Sequence, residues 1–210
     1  MAKVEPLKPE ALQAEQARRA LASTAGHAQV RWSFRVVRGE VAAEVLTAAA
    51  EADVLALGKS GWSLAKRLRI GSTAFAATQN LPRALLLVQG NVQFRRQVFV
   101  LDNGSKDSRL ALIAGANLAR AYGNTIVVLI PGEAVGAAKR IDDEARELLD
   151  VWREHLHVRF RRLPGSDVLS ISRAVQSEGG GILLLVNANV LPEALDGLLQ
   201  HLGSPILLVR

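Results

Sequence analysis

Apolar and polar positions along this chain change their period repeatedly, and each change marks an element. Pro9 to Ala25 is rich in Ala, Leu, Glu, Gln and Arg, all good helix formers, and predicts a helix that ends near Gly26. Val30 to Val37 (VRWSFRVV) alternates apolar and polar residues, the period of a strand. After Gly39, EVAAEVLTAAAEA puts Val41, Val45 and Ala49 on one helical face. Asp53 to Leu57 and Ala84 to Val88 are short apolar runs of the kind found in strands buried on both faces. A helix over Ser72 to Gln79 lies between them.

Residues 89–97 (QGNVQFRRQ) are polar and read as a linker, placing one domain at 1–92 and a second at 93–210. The pattern then restarts. Strands are predicted at Val98–Leu101, Thr125–Ile130, His157–Leu163, Ile182–Val186 and Pro205–Val209. Helices are predicted at Asp107–Tyr122, Glu133–His155, Asp167–Ser177 and Leu191–Leu202. Strict alternation of strands and helices implies a parallel, doubly wound sheet. The closing part of each half repeats: VLALG (Val54–Gly58) matches ILLLV (Ile182–Val186), and ALLLV (Ala84–Val88) matches ILLV (Ile206–Val209). The second copy is shorter between its two strands, and the residues it lacks are those of a Gly-rich loop in the first.

Composition narrows the class. Nearly half of the 210 residues are apolar, at 49%, while aromatics make up only 4%, so Ala, Leu and Val carry the burial. Cysteine is absent, which removes disulfide and thiolate chemistry. The N-terminus has no apolar signal-peptide core, and no run approaches the roughly 18 residues of a membrane span. A soluble, cytoplasmic protein without membrane insertion is expected. The formal net charge of +6 falls mostly in residues 1–92, a setting that attracts phosphates. No basic run is interleaved with aromatics as single-stranded nucleic-acid binding would require, so no nucleic-acid partner is expected.

The loop GKSGWSLAKRLRIGST (Gly58–Thr73) holds the candidate chemistry. It is not a P-loop, because Asp53 stands where the first glycine is needed and no helix opens after Ser60; a dinucleotide fingerprint is absent too. What remains is Gly58-x2-Gly61-x9-Gly71-Ser72. The glycines let backbone N–H groups approach an anion, and Gly71-Ser72-Thr73 opens a helix whose free N–H groups favour one. Lys66, Arg67 and Arg69 would screen a triphosphate. The competing reading is a set of turn glycines with a Ser/Thr helix cap.

The segment RGEVAAEVLTAAAEADVLALGKSGWSLAKRLRIGSTAFAATQNLPRALLLV resembles the second part of a universal stress protein domain. Nucleotide-binding members of that family carry Gly-x2-Gly-x9-Gly-Ser/Thr, matched here by Gly58, Gly61, Gly71 and Ser72. Residues 98–209 resemble a whole domain of the family, and VFVLDNGSKDS is similar to its first strand and turn, where the resemblance makes Asp102 an adenine contact. The second half departs from the pattern, with Asn187-Ala188-Asn189 in place of the loop. The first lacks an initial strand-helix-strand. The resemblance therefore implies an α/β fold: two doubly wound parallel sheets of the adenine nucleotide alpha hydrolase type in tandem, the first incomplete. It further implies ATP or another adenine nucleotide, with or without Mg²⁺, held by Gly58, Gly61, Gly71, Ser72, Thr73 and Asp102. At most slow ATP hydrolysis is expected, since no general base is visible. The incomplete sheet implies a homodimer or higher oligomer; regulatory protein partners are unknown. The alternative is a dimerisation or interaction module without nucleotide, a fragment of a larger regulatory protein.

Other candidates have plainer readings. His155 and His157 flank a turn next to Glu154, a solvent-exposed arrangement rather than a metal pair. Asp142, Asp143, Glu144 and Glu147 lie three or four residues from Lys139, Arg140 and Arg146, the spacing of a salt-linked helix face. Arg159, Arg161 and Arg162 are expected to blunt a sheet edge. Ser105 and Ser108 have no base placed to activate them. Gly179-Gly180-Gly181 reads as a loose connection.

Overall fold

The structure, a computed structural model, describes residues 9–59, 70–80, 83–89, 95–132, 135–187 and 190–210. The chain forms two compact units, Met1–Glu44 and Val45–Arg210. Within the first, α1 (Pro9–Ala28) is largely exposed, and Arg18 and Arg19 both reach Glu15. Residues 30–38 carry the alternating pattern but form no strand, which corrects the expectation for Val30–Val37. Alternation gives a strand only when its backbone groups find a partner. The helix α2 (Val41–Ala49) begins in this unit, with Glu40 accepting from the N–H groups of Ala42 and Ala43.

The second unit holds β1 (Val54–Gly58), α3 (Ser72–Gln79), β2 (Ala84–Val88), β3 (Gln97–Leu101), α4 (Lys106–Tyr122), β4 (Thr125–Ile130), α5 (Val135–Leu149), β5 (His157–Arg162), α6 (Val168–Ser177), β6 (Ile182–Val186), α7 (Pro192–His201) and β7 (Ile206–Val209). A short 3-10 turn, Asp150–Trp152, follows α5, so the long helix expected to His155 ends sooner.

These strands make one seven-stranded sheet in the order β1-β2-β7-β6-β3-β4-β5, not two sheets. The join is between β2 and β7, which pair antiparallel with Leu85 opposite Leu208 and Leu87 opposite Ile206. All other pairs are parallel. The last strand of each half has a free edge, and the two edges satisfy each other. The strands from β3 to β7 build the doubly wound unit expected from the second half.

Two apolar layers flank the sheet. On one face α3, α6 and α7 pack over Leu85, Leu87, Phe99, Leu183, Leu185, Ile206 and Leu208. On the other, α4 and α5 cover Val98, Val100, Ile126, Val128 and Ile130. The glycines before β6 are more specific than a loose connection. Gly179 and Gly180 take φ of +89° and +81°, conformations that disfavour side chains.

The sheet has unlike edges. On β5, Arg159 pairs with Glu178 at 2.7 Å and also donates to Gln97, Arg161 reaches Glu178 at 3.2 Å, and Arg162 lies 3.6 Å from Asp142. On β1 no charged residue lies within the strand, and Val54 and Ala56 are exposed.

Candidate phosphate loop at the end of β1

The loop begins where β1 stops. Gly58 is the last residue of β1, opposite Val88. The N–H of Lys59 donates to the Val88 carbonyl at 2.7 Å, and the carbonyl of Lys59 accepts from the N–H of Gly71 at 2.8 Å. These two bonds pin the base of the loop, so Gly58 and Gly71 are brought together. Gly61, Lys66, Arg67 and Arg69 lie outside the described residues.

Gly71 is the N-cap of α3, in extended conformation, and among the described residues no side chain caps the helix. Ser72 and Thr73 stand inside the first turn, which sets aside the reading of Ser72 as a helix cap. Among the described residues, the first N–H groups of α3 thus have neither an intrahelical partner nor a side-chain cap. An α-helix places partial positive charge at such an end.

The lysine of the Gly-Lys-Ser triplet turns away from this end. Lys59 is only 7% exposed, and its Nζ donates to the carbonyl of Leu199 at 3.0 Å, in the last turn of α7. Gln89 donates to the carbonyls of Leu199 and Leu202 at the same terminus. Burial pulls the Lys59 pKa below its ordinary value, and the charge of Asp196 works in the opposite direction. Asp196 also accepts from the N–H of Ile70 at 2.9 Å and from Gln200 at 2.7 Å. At the loop base, then, Lys59 and the Ile70 N–H are already committed to α7. The groups left for an anion are the first N–H groups of α3 and the hydroxyls of Ser72 and Thr73.

Asp102 does not join this set. It follows β3 and is 2% exposed. Its Oδ1 accepts from the Gly104 N–H at 2.9 Å and from the Ser108 hydroxyl at 2.6 Å. Ser105 caps α4 by accepting from the Ser108 N–H at 3.1 Å. The two serines therefore shape a turn, a role the sequence pattern left open. Because β1 and β2 run opposite to β7, β6 and β3, Gly58 and Asp102 lie at opposite rims of the sheet. They are also four strand spacings apart, on the order of 19 Å. A nucleotide with its phosphates at Gly71 does not reach Asp102 of the same chain, which corrects the joint site expected from the sequence.

At the Asp102 rim, Asn187 donates to the carbonyl of Thr78 at 2.8 Å, and a cavity of about 210 Å³ opens between the end of α3 and the start of α7. Among the described residues no cluster suited to a metal ion is found, and no helix is long and apolar enough to cross a membrane.

Solved structures show which fold this is. A universal stress protein from Archaeoglobus fulgidus DSM 4304 superposes with a TM-score of 0.76 at 14% identity, over 99% of this chain and 84% of that one. The fold is that of a universal stress protein. A functionally unknown protein from Pseudomonas aeruginosa PAO1 shares it, with a TM-score of 0.60 and 13% identity over 98% of this chain and 79% of that one. So does a chain from Pseudomonas aeruginosa UCBPP-PA14 assigned to the universal stress proteins, with a TM-score of 0.61 and 13% identity over 98% and 80% of the two chains. No family model and no curated protein matches the sequence.

Proposed function

We propose that this protein is a non-enzymatic, nucleotide-responsive regulator of the universal stress type. In this reading it acts in the cytoplasm, and the loop from Gly58 to Ser72 takes the phosphates of ATP or another adenine nucleotide, with or without Mg²⁺. The observation that carries the reading is the uncapped start of α3 at Gly71–Ser72, held at the pinned base of the loop. Backbone N–H groups at a helix start are an anion site in waiting, and the neighbouring hydroxyls add donors. Lys66, Arg67 and Arg69 in the same loop would supply the charge that Lys59, engaged elsewhere, does not. Catalysis beyond slow hydrolysis is not expected.

The test is an ATP titration, with and without Mg²⁺, followed by heat and by the fluorescence of Trp62 within the loop. Saturable binding is expected, weakened about tenfold or more in Gly61→Val, where a side chain blocks backbone approach. No binding at millimolar ATP by a folded sample overturns the reading.

A second reading, an interaction module that leaves the loop empty, is favoured by one observation. The adenine contact implied for Asp102 lies at the far rim, while β1 presents an apolar edge. In either reading we expect self-association through β1, because an uncharged edge strand, unpaired on one side among the described residues, is a template for pairing. Ala56→Lys puts a charge on that edge. Sedimentation velocity at micromolar concentration is expected to give a dimer for the natural sequence and a monomer of unchanged melting temperature for the variant. A natural sequence that sediments only as a monomer contradicts the expectation.

A further inference from the structure

The N-terminal ends of β4 and β5 carry a second feature, unconnected with the loop. Thr125 and His157 sit opposite each other where these strands begin, and the N–H of His157 donates to the carbonyl of Asn124 at 2.7 Å. Asn124 makes the tight turn out of α4 with φ of +59°, a conformation asparagine tolerates. Leu156, buried against the core under α4 and α5, lies between His155 and His157. Around these residues lies a cavity of about 470 Å³. Its rim carries Arg120 from the last turn of α4, Arg153 and His155 from the connection after α5, and His157 from β5. Glu154 is the acid among the described lining residues.

Charge and geometry here favour an anion. The Arg120 guanidinium makes no ion pair or hydrogen bond among the described residues, and Arg153 has only Asp150 at 3.6 Å, with both side chains well exposed. Such an exposed pair is worth little and is readily exchanged for a better acceptor. Two more cations, Arg95 and Arg96, enter β3 at this end of the sheet, and Arg96 lies against Gly123 at the end of α4. The donors come from separate elements: α4, the connection after α5, and β5. A tetrahedral phosphate offers three free oxygens to such a set, where a planar carboxylate offers two. The volume lies in the range of small-molecule sites.

We propose that this cavity binds a phosphate group of a small molecule, with Arg120 and Arg153 as its principal contacts and the imidazoles of His155 and His157 and the amide of Asn124 as further donors. The site is five to six strand spacings from β1, on the order of 24–29 Å, so it is separate from the loop proposed to hold nucleotide.

Inorganic pyrophosphate is the probe, titrated by calorimetry into the natural sequence, into the double variant Arg120→Ala/Arg153→Ala, and into Gly61→Val. Both arginines are exposed, and circular dichroism of the double variant is expected to be unchanged. Saturable binding that weakens about tenfold or more in the double variant and persists in Gly61→Val supports the proposal. Binding abolished by Gly61→Val and kept by the double variant overturns it and puts the anion at the loop. Absence of saturable binding to the natural sequence also overturns it. The ATP titration of Gly61→Val reads the loop independently, so the two proposals fail separately.

Discussion

Lys59 follows the first glycine of the candidate phosphate loop and serves as a strut. Its amine closes the carbonyl end of α7, where a helix carries partial negative charge. Lys59→Met keeps the stem and removes the donor, at an expected cost of about 1–3 kcal/mol by chemical denaturation. The pH dependence has a definite sign. Burial sets the folded-state pKa of Lys59 below the ordinary lysine value, so in the alkaline window just below that value the unfolded chain holds a proton the folded chain releases. The contribution of Lys59 to stability therefore rises with pH there, and the margin of the natural sequence over Lys59→Met is expected to widen as pH rises through the alkaline range toward the ordinary lysine value. A margin that narrows contradicts this account of Lys59. At the loop the glycine spacing and the helix start were legible from the residues, but not the direction of the lysine. That direction depends on α7, 140 positions later in the chain.

The elements from β3 to β7 were legible because their apolar runs are bounded by clear stops, such as Gly123 after α4 and Pro131-Gly132 after β4. Val30 to Val37 was misread for a physical reason. Its alternation fits a strand, but a strand also needs a neighbour with free backbone groups, and a local pattern does not report one. A glycine inside α4 shows the reverse, a residue that packing explains and propensity does not. A Cβ at Gly115 would stand 2.4 Å from Val100 Cγ2 on β3, so the glycine allows the helix to sit close on the sheet. Gly115→Ala should gain up to about 1 kcal/mol of helix propensity and lose about 1–3 kcal/mol to overpacking. A net loss in the denaturation midpoint is expected, and a net gain would show that β3 yields at this point.

For the molecule as a whole, the sheet order β1-β2-β7-β6 places the repeated segments back to back. Leu85 and Leu87 on β2, with Ile206 and Leu208 on β7, bury the same face under α3 and α7. The repeat itself was visible in the sequence. The seam was not, because ALLLV and ILLV are apolar runs that fit any interior position of a sheet. That seam decides the layout of the candidate site, since it reverses β1 relative to β3 and sends Gly58 and Asp102 to opposite rims. The central claim of the proposed function is that a nucleotide's phosphates go to the Gly58–Ser72 loop and not to Asp102. The most direct measurement follows backbone amide resonances of the whole chain during an ATP titration. The account predicts saturable shifts at Gly58, Gly71, Ser72 and Thr73, with Asp102 and Gly104 unmoved. Shifts centred on Asp102 and Gly104, with the start of α3 unmoved, would contradict it.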